Sequence, residues 1–208
     1  RDAPRMTRAP ALAALRSPNF ALLWSAQVIS GFGDRITLLA LAFVTWELTH
    51  SALSTALAVV ISTVPYALFG LFGGAIADAL GRRRAMVMCD LIRVGAVGVI
   101  PIVLLAGAPL SLIYALVFAA GICSAIFSPA RLAIVPDILP AKALGAGNSM
   151  VYASDRAVEI VGTLLAGVLV AVIREYAFYV DALSFALSAW LLSRIVLEEL
   201  PSRSLSWR

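Results

Sequence analysis

The stretch at 74–84, GAIADALGRRR, is a short arginine-rich segment set between two long apolar runs. Residues 54–77 carry no charge, and residues 85–106 carry only Asp90 and Arg93. Runs of that length match the ~20 apolar residues a helix needs to cross a bilayer. One aspartate and three consecutive arginines do not sit in hydrocarbon, so the segment reads as a tight loop at a membrane surface. Arginine in short loops marks the cytoplasmic side, and this one loop orients the rest of the chain. Composition agrees: 62% of residues are hydrophobic and 13% charged, against roughly half and a quarter in soluble domains. The dyad alternation of a membrane barrel is absent, so the spans are helices.

Six spans are predicted, at about 20–48, 54–77, 85–106, 110–129, 145–173 and 176–197. Residues 1–18 read as a cytoplasmic tail, 19–197 as a six-helix transmembrane domain, and 198–208 as the start of a cytoplasmic linker. On this layout twelve basic residues fall on one side and Arg174 alone on the other, which places both termini in the cytoplasm. The net charge of +4 is therefore a topology signature and no sign of nucleic-acid binding.

Charged side chains within spans are costly and must face protein or water. In the first span Gln27, Ser30, Asp34 and Thr37 are spaced three, four and three apart, so they share one helix face. Arg35 lies about 100° round the helix and is free to pair with a neighbouring span. In the fifth span Asn148, Tyr152, Asp155 and Glu159 form a second stripe, with Arg156 adjacent. Two carboxylates at i and i+4 repel one another, an arrangement suited to proton or cation binding. A structural alternative pairs Asp34 with Arg156, or Arg35 with Glu159, to hold the bundle together. Asp90 and Arg93, at i and i+3 near the cytoplasmic end, read as a structural pair, and Asp181 as an interfacial residue or helix cap.

Enzymatic chemistry finds little support. His50 lies near an external loop without metal-ligand neighbours, and HExxH, GxSxG and phosphate-cradling loops are absent. No metal or cofactor is expected. Cys89 and Cys123 lie in apolar runs and read as core residues.

The 74–84 segment resembles the loop signature between spans 2 and 3 of the major facilitator superfamily, Gly-x-x-x-Asp-(Arg/Lys)-x-Gly-Arg-(Arg/Lys). Gly74, Asp78, Gly81, Arg82 and Arg83 match, and Ala79 stands where a basic residue is usual. The stretches around the first span, FSPARLAIVPDILP and YVDALSFALSAWLL are similar to the bacterial drug- and siderophore-exporter branch. In the fifth span Thr163 stands where antiporters of the superfamily often carry proline. The resemblance implies an all-α integral membrane protein, the amino-terminal six-helix half of a twelve-span fold with a 3+3 inverted repeat. It implies proton-coupled export of amphiphilic small molecules by alternating access, from a bacterial inner membrane. Asp78, Arg82 and Arg83 would then form a conformational latch. Partners would be the bilayer, protons, a small-molecule substrate, and a carboxy-terminal half or second copy. Two further readings stand beside it: a self-sufficient six-helix homodimeric transporter or channel, and an intramembrane enzyme.

Overall fold

The computed structural model describes residues 14–196. The first span is α1 (Pro18–Thr49). Its start suits a helix: Ser17 is extended at the N-cap and Pro18 follows, needing no amide partner. It stops at His50, which is left-handed at φ 48. The second span, α2 (Ala52–Leu80), begins at Ser51, whose side chain accepts a hydrogen bond from the Ser54 amide. The third consists of α3 (Arg82–Gly98) and α4 (Ile100–Leu105), joined through Val99. The fourth is α5 (Leu110–Ile138). The fifth joins α6 (Leu144–Ala157) and α7 (Thr163–Ile173) through a π-helical turn at Val158–Gly162. The sixth is α8 (Ala177–Ser193).

Among the described residues, five continuous helical runs are long and apolar enough to cross a membrane. The last covers Ala141–Ser193 and reverses at Arg174, where φ is 52. Side-chain contacts show the reversal. Trp24 meets Ser154 and Gln27 meets Asp155, so the fifth span runs parallel to the first. Asn19 meets Val196 and Thr37 meets Asp181, so the sixth runs antiparallel to it. The result is a six-span bundle, with no strand among the described residues.

Span pairing carries the inverted repeat. The first span packs on the fifth and sixth, the fourth on the second and third, and the third on the sixth. Exchanging spans 1, 2 and 3 with 4, 5 and 6 maps this list onto itself, as two related three-helix units require. The second and fourth spans approach closely through small residues. A Cβ on Gly73 would strike the Ala125 carbonyl, and one on Gly121 would lie 2.7 Å from Pro65 Cγ.

Three sequence expectations need correction. The segment at 74–84 is mostly helix, where a tight loop over its whole length was expected. Helix continues to Leu80 and resumes at Arg82, leaving Gly81, at φ 83, as the turn. Glycine alone adopts that backbone without strain, and the arginines extend from the helix end to polar partners. The fourth span ends at Ile138 rather than 129, because the helix passes through Pro129 and Pro136. Neighbouring helices tolerate the lost amide bonds in such spans. Finally, residues 14–17 of the predicted tail join the bundle: Ala14 is buried, and Ser17 Oγ donates to the Ile138 carbonyl at 3.2 Å. The remainder of that tail, 1–13, and the predicted linker, 198–208, lie outside the described residues.

Two apolar clusters make the core. One, around Phe20, Leu23, Met86, Ile134 and Leu192, lies at the end near the termini. The other, around Leu41, Val97, Ile113 and Phe178, lies at the opposite end. The polar side chains are layered between them, and Cys89 and Cys123 are buried and unpaired.

Candidate functional site

Between the two apolar clusters lies a cavity of about 320 Å³. The first span contributes Gln27, Ser30, Asp34 and Arg35 to its wall, and the fifth contributes Asp155, Arg156 and Glu159. A second cavity of about 240 Å³ lies further from the termini and shares Asp34, Arg35, Tyr66 and Ser124 with the first. Asp34 thus stands where the two meet. Asn148 and Tyr152 do not line either cavity and are exposed, one to two turns nearer the termini.

Asp34 bonds Arg93 of the third span. The same guanidinium bonds Asp90 Oδ1 at 3.1 Å and stacks on the Phe185 ring, 3.6 Å from its centroid. Arg93 is 2% exposed and Asp90 fully buried. So the Asp90–Arg93 pair exists, yet its arginine is also part of the cavity wall. One guanidinium serves two carboxylates, and Asp90 Oδ2 and Arg93 Nε have no hydrogen-bond partner among the described residues. One formal negative charge is left over in this triad.

The expected repulsion between Asp155 and Glu159 is relieved, because each has its own arginine. Arg131 grips Asp155 with two bonds, 2.9 Å and 3.1 Å, and Gln27 Nε2 adds a third at 2.7 Å. Arg156 bonds Glu159 at 2.5 Å on the exposed face. Neither of the pairs anticipated as structural, Asp34 with Arg156 or Arg35 with Glu159, forms. Arg35 has no carboxylate within 4.0 Å among the described residues. Just beyond Arg156 the π-helical turn Val158–Gly162 re-aims the span, and Thr163 Oγ1 donates to the Glu159 carbonyl at 2.5 Å. Such turns are often found at functional sites.

Arg131, Asp137 and Asp181 escaped the sequence reading. Arg131 lies beyond the predicted end of the fourth span at 129, although it follows Phe127 by four residues on one helix face. Asp181, expected as an interfacial residue or a helix cap, is buried between the first and sixth spans.

At the end near the termini, Arg82 ties three elements together. Its Nε meets Asp78 Oδ1 at 2.9 Å, and its Nη1 meets Asp137 Oδ2 at 2.9 Å and the Ala133 carbonyl at 2.7 Å. Arg83 donates to the carbonyls of Leu192 and Ser193, the last residues of α8. A cation at a helix C-terminus is favourable there. Gly74 lies against the fourth span, where a Cβ would be 3.8 Å from Pro129 Cβ.

The sequence is similar to those of several known proteins. The chain is 30% identical over 191 residues to the multidrug efflux pump Tap of Mycolicibacterium fortuitum, covering 88% of this chain and 46% of that one. It is 30% identical over 126 residues to macrolide efflux protein A of Streptococcus pyogenes, covering 60% and 31%. With the uncharacterized MFS-type transporter YfiS of Bacillus subtilis (strain 168) it shares 28% over 172 residues, covering 82% and 40%. The chain spans less than half the length of these curated relatives. The Major Facilitator Superfamily profile matches residues 23–207, and the chain belongs to that superfamily.

Proposed function

We propose that this six-span bundle is one wall of a proton-coupled exporter of amphiphilic small molecules. The observation that carries the reading is the Asp34–Arg93–Asp90 triad at the meeting point of two cavities. Two carboxylates share one guanidinium, and protonating one of them neutralises the surplus charge. Asp34 is the group that exchanges the proton, because its side chain is 46% exposed while Asp90 has no access. The names of Tap and macrolide efflux protein A support export and amphiphilic drug-like substrates.

The reading also requires a second bundle. Arg156 is 80% exposed at mid-span, and Asp34 and Glu159 are each nearly half exposed. Charges at that depth do not face lipid without large cost. A second six-span half, joined through a linker that begins near 198, covers them and completes the cavity. Termini and linker lie on the cytoplasmic side of a bacterial inner membrane, where the basic residues cluster. Alternating access then proceeds by rocking of the two halves, with the latch residues Asp78, Arg82 and Arg83 engaging the second half in one state and released from it in the other.

The test uses inside-out vesicles holding the full-length protein. With an acid interior, a lipophilic cationic dye is taken up while the interior loses protons faster than in protein-free vesicles. A protonophore abolishes both. Dye uptake that persists unchanged without a proton gradient overturns proton coupling.

A further inference from the structure

Asp181 sits beyond Asp34, toward the end of the bundle away from the termini, and it is 0% exposed. Thr37 Oγ1 of the first span donates to its Oδ2 at 2.5 Å, and Ser184 Oγ donates to its Oδ1 at 3.1 Å. Gly33 makes the space: a Cβ there would overlap the Asp181 carboxylate and the Ser184 hydroxyl. The first span therefore offers a bare backbone and a hydroxyl to this one carboxyl group. No arginine, lysine or histidine nitrogen lies within 4.0 Å of it among the described residues. The second cavity joins it to Asp34, with Arg35 and Tyr66 also on that wall. Arg93, the nearest buried cation, is engaged by Asp34 and Asp90.

A fully buried carboxylate without a cation is costly in its charged form. Rotatable hydroxyls can donate to a carboxylate or accept from a carboxyl, so this pocket accepts both states. We propose that Asp181 is a proton-binding site that exchanges its proton with Asp34 through the second cavity. In that step the O–H bond of the Asp181 carboxyl breaks as an O–H bond forms on an Asp34 oxygen. Asp181 is left as a carboxylate and is reprotonated from water at the far end of the bundle. The role rests on the proton coupling proposed for Asp34, whereas the site itself is tested separately.

The experiment is infrared difference spectroscopy of the full-length protein in lipid vesicles, titrated with pH. The wild type shows a carboxylic C=O signal that Asp181→Asn removes and Asp34→Asn leaves in place. Thr37→Val shifts that signal, because the carboxyl loses its hydroxyl partner. If Asp181→Asn fails to fold, the Thr37→Val shift decides. A spectrum unchanged in Asp181→Asn, or no shift in Thr37→Val, overturns the site. Should Asp34→Asn retain proton-driven transport while the Asp181 signal behaves as stated, the coupling role falls and the site stands.

Discussion

Replacing Asp34 with asparagine is expected to abolish proton-driven export and to leave the bundle as stable as before. The two halves of that result have different causes. Export is lost because asparagine cannot bind and release a proton. The loss should reach about two orders of magnitude, the scale at which a positioned acid–base group contributes. Stability survives because asparagine can still accept a hydrogen bond from the Arg93 guanidinium. Removing its charge also leaves Arg93 matched one to one with Asp90. The check is paired: dye export along a pH gradient, and thermal unfolding in detergent. Wild-type export with wild-type pH dependence would remove Asp34 from the mechanism. A collapsed unfolding temperature would show that its pairing with Arg93 is chiefly structural.

Arg93 behaves in the opposite way. Arg93→Met is expected to destabilise the protein by about 3–5 kcal/mol, the cost of leaving a buried ion without its partner. The stranded ion is Asp90, which has no access to water. The Phe185 ring also loses the guanidinium stacked on it. Adding Asp90→Asn should restore much of the loss, because the charge that lacked a partner is gone. Lysine at 93 should fall between, since a point charge cannot repeat the two-carboxylate fork and the planar stack. Unfolding temperatures of the single and double variants measure this. Equal stability of Arg93→Met and wild type would mean that Asp90 does not depend on the guanidinium.

The division between what could be read from the sequence and what could not follows the geometry of helices. Spacing along one helix places Gln27, Ser30, Asp34 and Thr37 on a shared face, and the structure puts them along the two cavities. The number and alternating direction of the spans follow from apolar runs and flanking arginines. Relations between helices do not follow. Asp34 meets Arg93 across 59 positions of chain, and Thr37 meets Asp181 across 144. Nothing local to either partner announces such a pairing. Arg131 failed for another reason. The predicted fourth span stops at 129, and proline normally ends a helix. The packing of its neighbours carries it two turns further and brings Arg131 onto Asp155. The 74–84 motif was identified correctly as a boundary, but its turn is one glycine, since charged side chains at helix ends reach water without unwinding the backbone.

The central claim is that the two cavities flanking Asp34 belong to opposite sides of one alternating path. Ser128 lines the cavity nearer the termini and Thr63 the one beyond. Single cysteines at these positions, in a full-length background with Cys89 and Cys123 replaced by serine, can be labelled with a membrane-impermeant maleimide. The account predicts that Ser128→Cys reacts from the cytoplasmic side and Thr63→Cys from the opposite side. It also predicts that any change of pH gradient that raises one rate lowers the other. Rates that rise and fall together, or that ignore the gradient, would contradict it.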